Sequence, residues 1–253
     1  MKNLLITLLL LTCFTSCGDE DFYDMPPWTP TDHGYKLIWE DNFDGVEIDK
    51  TKWDYRAVGN TRHKAIVDSN TVYLDGKGNL VIELCERNGK YYIGQLTTQY
   101  KHLFKYGYFE CNVYLNKQPG IHSAFWLQSP KVAMGEDPSI YGAEIDIFEY
   151  VANDPGGVHT TVHWDYQNLK SLQQRTYIPQ VHNGFHTFGL EWTPEKYTFY
   201  VDNRQIWQLT RAISQIEQYI ILSTEYSDWG GDANPANLPD KVIFDYVKVY
   251  SKE

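Results

Sequence analysis

The stretch Glu144-Ile145-Asp146-Ile147-Phe148-Glu149 sets three carboxylates among large apolar side chains, inside what otherwise reads as a buried β-strand. Strand side chains alternate between faces, so Glu144 and Asp146 share one face and Ile145 and Ile147 the other. Strict alternation would send Glu149 into the core with the isoleucines. One extra residue around Ile147-Phe148, a β-bulge, returns Glu149 to the acidic face and turns Phe148 inward. Counted this way, Glu144 and Glu149 lie about 13 Å apart at Cα, four steps of roughly 3.3 Å. Two glutamates leaning together close that to about 5–6 Å, where one carboxylate attacks a sugar and the other protonates the leaving oxygen, with retention. Three acids this close in a partly dry cleft titrate together, with at least one pKa raised, as a general acid requires. The alternatives are a solvated acidic strand edge or a carboxylate calcium site. The interleaved Ile and Phe argue against the edge.

Working outward, the surrounding sequence resembles glycoside hydrolase family 16, in the branch with the bulged Glu-x-Asp-x-x-Glu signature. Trp39-Glu40-Asp41-Asn42-Phe43-Asp44-Gly45 resembles the family's opening segment, Tyr106 to Glu110 its central strand, and Ser123 to Leu127 the strand before the acidic one. Phe185 to Phe188, Glu191 to Pro194 and Tyr200-Val201-Asp202 resemble the strands after it, and Phe244 to Tyr250 the closing strand, all in the family's order. The resemblance implies an all-β fold, a β-jelly-roll sandwich of two curved antiparallel sheets with the substrate cleft on the concave face. It implies Glu144 as nucleophile, Glu149 as acid/base and Asp146 as the residue that tunes the nucleophile. It also implies that no cofactor is required. Some members carry a structural calcium, for which Glu40 and Asp245 are the candidates here.

Composition agrees with a secreted all-β enzyme. A chain of 253 residues is long enough for one large sandwich. Its 20 Tyr and 8 Trp suit strands and also the flat faces of pyranose rings. A formal charge of −11 excludes nucleic acid as a partner bound by bulk attraction. A monomer acting on an oligo- or polysaccharide is expected.

The N-terminus reads as a targeting segment. Lys2 is the sole charge before residue 19, and Leu4 to Leu11 is too short to span a bilayer. Thr15-Ser16-Cys17 then resembles a bacterial lipobox with Cys17 as the lipidated residue; Cys13 is the competing site, and an ordinary secretory peptide the alternative. The acidic Gly18-Asp19-Glu20-Asp21 resembles the export signal of Bacteroides-type surface lipoproteins. The expected layout is therefore a signal peptide over 1–17, a Pro-rich tether over 18–34 and a catalytic domain over 35–253. The membrane contact is the lipid anchor alone, on the cell surface of the outer membrane. Cys85 and Cys111 remain; an oxidising compartment permits a bridge, and two buried free thiols are as natural. Their spacing does not suit zinc. One helical turn is expected near Arg211 to Gln218.

For the cleft, Trp126 on the preceding strand matches a family position beside the sugar, with core packing as its rival. Asn60 and Arg62 fall in a loop where the family places donors to non-reducing-side sugars. His159, Thr161 and His163 share one face of the following strand, and His163 matches a cleft-facing family position. Trp164, Tyr226 and Trp229 suit a subsite wall, although scattered surface aromatics would look the same. The family's β-1,3-glucanases usually carry Trp-Pro shortly before the nucleophile, where this chain has Ser139-Ile140-Tyr141-Gly142-Ala143. The expectation is therefore an endo-β-galactosidase of mucin O-glycan, keratan or galactan type. An endo-β-1,3-glucanase and a non-catalytic surface glycan-binding protein are the alternatives.

Overall fold

The computed structural model describes residues 19–252. The signal peptide and Cys17 lie outside the described residues. Two sheets dominate, one of seven strands and one of eleven. In chain order the seven are β1 (Asp54–Tyr55), β2 (Gln95–Thr97), β3 (Ile121–Gln128), β4 (Glu144–Val151), β5 (Gly157–Trp164), β6 (Lys170–Tyr177) and β7 (Tyr219–Tyr226). They lie side by side in the order β6-β5-β4-β3-β7-β2-β1, all antiparallel. The acidic strand β4 therefore sits near the middle, where both of its edges are paired.

The eleven-stranded sheet is centred on Gly107–Tyr114, paired on one side with Phe185–Trp192 and on the other with Asp240–Ser251. Period-two patterning packs the sheets together. Ile145, Ile147 and Phe148 from β4 join Phe109, Cys111, Val113, Phe188 and Leu190 in one apolar core. Phe148 and Phe188 meet across it with ring centres 4.3 Å apart. Cys85 and Cys111 are free thiols on separate strands.

Two expectations fail here. Arg211 to Gln218 forms no helix; short helical turns sit instead at Asp19–Asp24 and at Pro138–Tyr141, the latter started by Asp137, whose side chain accepts from Ser139 N. Pro at the first helical position and that cap favour the site. Second, much of the stretch read as a tether is packed onto the sandwich. Phe22 reaches the main core, Trp28 stacks on Tyr200 at 4.7 Å, and Trp28 N donates to Asn203 O at 2.7 Å. Pro26, Pro27 and Pro30 signal an extended linker, but Asp19–Asp24 is helical, Thr31–His33 forms a 3-10 turn, and Phe22, Trp28 and Tyr35 carry enough apolar surface to dock the stretch.

Candidate active site

The register of β4 changes by one residue between Asp146 and Glu149 against β5, and on the β3 side Trp126 faces Asp146 while Phe125 faces Phe148. Ile147 is the unpaired residue. The bulge does what alternation could not: Ile145, Ile147 and Phe148 are all buried in the core, while Glu144, Asp146 and Glu149 line a cleft on the opposite face of the sheet. Gly142, at φ 75°, turns the chain into β4, and a Cβ there would collide with Ser129. Only glycine fits so tight a turn, and it fixes where Glu144 begins.

Each acid has a different environment. Glu144 Oε2 accepts from Gln128 Nε2 at 2.8 Å and from the Tyr166 hydroxyl. Tyr219 holds Gln128 in turn, its hydroxyl donating to Oε1 at 2.5 Å. Glu149 Oε2 accepts from Thr161 Oγ1 at 3.0 Å, and His122 Nε2 stands 3.0 Å from Glu149 Oε1. Asp146 lies between them, 4 % exposed. His163 Nε2 is 3.5 Å from Asp146 Oδ2 without a hydrogen bond, so that oxygen is buried unpaired. His163 Nδ1 pairs with Ser171 Oγ at 2.5 Å.

The charges follow from these contacts. Burial pushes the Glu144 carboxyl above its ordinary value, partly offset by the Tyr166 bond. Asp146 is raised furthest, by burial first and then by the charges of Glu149 and Glu144. Burial also acts on Glu149, but His122, Thr161 and His163 outweigh it and hold that carboxyl below the usual range. The raised pKa expected of a general acid thus falls on Asp146 and Glu144. The reason is His122, a side chain from β3 that the hexapeptide does not reveal.

Trp126 lines the cleft, 7 % exposed, with its indole N–H donating to Ser223 Oγ at 3.0 Å. Arg62 lines it too, its Nε donating to Glu225 Oε1 at 2.7 Å. Trp229 meets His122 and His159 edge-on at 4.7 and 4.8 Å. His159 pairs with Asp154 at 3.2 Å. Asn60 is exposed in a turn and does not line the space around the acids. Trp164 and Tyr226 depart from the expected wall: Trp164 packs against the main core, and Tyr226 lies in a smaller core with Leu84, Ile93 and Ile121. Each follows a cleft-facing residue, His163 and Glu225, so alternation turns it to the opposite face.

Glu40 lines an acidic depression with Asp41, Asp44, Glu47 and Asp49, but Asp245 is not part of that lining. The pair expected to hold calcium therefore gains no shared set of side-chain oxygens, where that ion takes six to eight. Among the described residues the close donor cluster is Glu144, Asp146 and His163, with ligating atoms within 4.8 Å of one another.

The sequence profile of glycosyl hydrolases family 16 matches residues 59–248. A beta-glucanase from Rhodothermus marinus is 27% identical over 277 aligned residues, covering 96% of this chain and 93% of that protein. A keratan-sulfate endo-1,4-beta-galactosidase from Sphingobacterium multivorum is also 27% identical, over 85% of this chain and 55% of that protein. The crystal structure of a laminarinase from Flavobacterium sp. UMI-01 superimposes with a TM-score of 0.73 at 28% identity, covering 85% of this chain and 100% of the other. With its two largely antiparallel sheets and a cleft lined by three carboxylates, the chain belongs to glycosyl hydrolases family 16 and is an endo-glycosidase on a β-jelly-roll.

Proposed function

We propose that this enzyme cleaves internal β-linkages of an extracellular glycan by double displacement, with Glu144 as nucleophile and Glu149 as acid/base. The observation that carries the reading is the bulge at Ile147, which puts both glutamates on one face with Asp146 between them. Gln128 and Tyr166 grip one oxygen of Glu144 and aim the carboxylate. Glu144 attacks the anomeric carbon, the glycosidic C–O bond breaks, and Glu149 gives its proton to the leaving oxygen, leaving a glycosyl ester on Glu144. Glu149 then takes a proton from water, whose oxygen attacks the anomeric carbon and frees Glu144.

The first step needs a proton on Glu149, which begins below the usual carboxyl range beside His122. A glycan seated in the cleft strips water from the pair, and desolvation favours the neutral acid over the charged pair. Ester formation then removes the negative charge of Glu144. Glu149 loses a repelling neighbour, its pKa falls, and it is set to act as a base.

For the substrate, we favour a β-galactosyl linkage. The supporting feature is Ser139-Ile140-Tyr141-Gly142-Ala143 in place of the Trp-Pro pair usual among the family's β-1,3-glucanases. The second reading, β-1,3-glucan, rests on the similarity to a beta-glucanase across nearly the whole of both chains. Membrane attachment through a lipid on Cys17, at the cell surface, belongs to the same proposal, as does action as a monomer. Product profiling of wild type and Glu144→Gln on laminarin, β-galactan, agarose, porphyran, keratan sulfate and mucin O-glycans tests it. Oligosaccharides from one galactosyl substrate, absent with the variant, are expected. Laminarin products would move the assignment to the glucan, and binding without products to a lectin.

A further inference from the structure

A fourth carboxylate faces the cleft. Glu225 on β7 sits opposite His122 on β3, and Ser223 sits opposite Ala124, itself opposite Glu149. Glu225 thus lies two strands away from β4, about 10 Å across the sheet. That distance places it under a neighbouring sugar, not under the bond that breaks. It is 5 % exposed and lines the same space as the three acids.

Its two oxygens differ. Oε1 accepts from Arg62 Nε at 2.7 Å and from Gln95 Nε2 at 2.5 Å. Gln95 is held by Arg56, whose NH1 donates to its Oε1 at 2.6 Å and whose guanidinium lies 5.1 Å from the centre of the Trp126 ring. Oε2 is buried and has no hydrogen-bond partner among the described residues. A carboxylate oxygen fixed on one side and unpaired on the other is costly in a dry site unless a bound group donates to it.

We propose that Glu225 is a specificity-determining residue whose Oε2 accepts a hydrogen bond from a sugar hydroxyl beside the cleavage point, so that this subsite takes a neutral sugar and rejects one carrying sulfate or carboxylate there. The inference rests on the glycosidase reading and narrows its substrate. The hydroxyl supplies the missing donor, and a charge-assisted bond of this kind is worth about a 10- to 100-fold preference. A sulfate in its place brings an anion against Oε2 with no proton to share, and like charges in a low-dielectric cleft repel strongly. Arg62 and Gln95 both donate to Oε1, so neither supplies the donor that Oε2 lacks.

The test compares kcat/KM on neutral and sulfated forms of one oligosaccharide for wild type and Glu225→Gln. The probes are laminarihexaose with its chemically sulfated form, and desulfated with native keratan sulfate hexasaccharides. Binding of the same four is measured by calorimetry in a Glu144→Gln background. Because the ratio is taken on one enzyme sample, a loss of folded protein cancels from it. Wild type should prefer the neutral form by about tenfold or more, chiefly through KM, and Glu225→Gln should shrink that ratio to about threefold or less. Turnover with a ratio that the substitution leaves unchanged, or a wild-type preference for the sulfated form, overturns the inference and spares the glycosidase reading. Where product profiling names another glycan, its neutral and sulfated oligosaccharides replace these probes, and neither turnover nor binding on any of them overturns both.

Discussion

Buried carboxylates in two parts of the protein have different surroundings. On the outer face of the eleven-stranded sheet, Glu110 and Glu191 are each 7 % exposed, close to the 4 % of Asp146 in the cleft. Yet each has its own donor. The Tyr246 hydroxyl donates to Glu110 Oε1 at 2.9 Å, and the Tyr35 hydroxyl to Glu191 Oε1 at 2.9 Å. Each also has a lysine: burial raises the Glu110 carboxyl, with Tyr246 and Lys248 working against that rise, and Lys196 lies 3.5 Å from Glu191. In the cleft no lysine or arginine pairs with Glu144, Asp146 or Glu149 among the described ion pairs, and one acid is left with an oxygen unpaired. Burial with a donor and a cation of its own makes a quiet carboxylate. Burial shared among three acids, with too few donors for all, makes protons easy to move.

That contrast sets the order of expected effects. Glu144→Gln should lower kcat by more than about 10³-fold, since it removes the proposed nucleophile. Glu191→Gln should leave kcat within about twofold, being outside the cleft and still able to accept from Tyr35. Initial rates on the substrate identified by product profiling decide this, and equal losses in both variants would erase the distinction between the two places.

Asp146→Asn separates activity from stability. Loss of the carboxyl proposed to tune Glu144 should cost about 10- to 100-fold in kcat. Stability should move the other way. The folded Asp146 carboxyl is raised, so between the unfolded value near 3.9 and the folded one the unfolded chain releases a proton that the folded chain keeps. This contribution is fully present below the unfolded pKa and declines as pH rises toward the folded one. At pH 7 an uncharged amide should therefore raise Tm by roughly 2–4 °C for each kcal/mol recovered. A lower Tm across the whole pH range would mean that the charge stabilises the fold.

The raised Glu144 carboxyl has a kinetic counterpart. The nucleophile acts as an anion, so kcat/KM should fall on acidification with a midpoint above the ordinary glutamate value of about 4.3. Tyr166→Phe removes a bond that favours the anion and should shift that midpoint upward, which a pH-rate profile reads directly. The smallest effect belongs to the quiet acids. Tyr35→Phe strips Glu191 of its hydroxyl donor and should cost about 1–3 kcal/mol of stability with kcat unchanged. A melt and a rate measured on one preparation settle it.

The acidic strand was legible because three carboxylates in an apolar run conflict with period two, and one bulge resolves the conflict. Gln128, His122 and Tyr166 were not legible, since they meet the acids from other strands and loops through pairing that no local pattern encodes. Trp164 and Tyr226 were misplaced although the alternation that places His163 in the cleft also turns Trp164 away. Glu225 did leave a signal of the same kind as Glu144: an acid within Tyr219 to Tyr226, where its neighbours are nearly all buried. The docked Phe22 and Trp28 were hidden by prolines, which signal an extended backbone and say nothing about what its side chains touch.

The bulge at Ile147 makes the active site a matter of parity. From Asp146 to Glu149 the chain takes three steps while the paired strand takes two, from Thr161 to His159. Distance along the ladder and distance along the sequence have parted by one, so an odd interval in residues delivers an even interval in space. A stretch Glu-x-Asp-x-Glu would reach the same side with one residue fewer and no bulge. The two spellings are two ways of counting to the same position. Removing Ile147 would accordingly be read by the sheet as a change of notation, with Glu149 still facing the cleft, whereas removing Ile145, where sequence and ladder still keep step, would turn Glu144 to the opposite face.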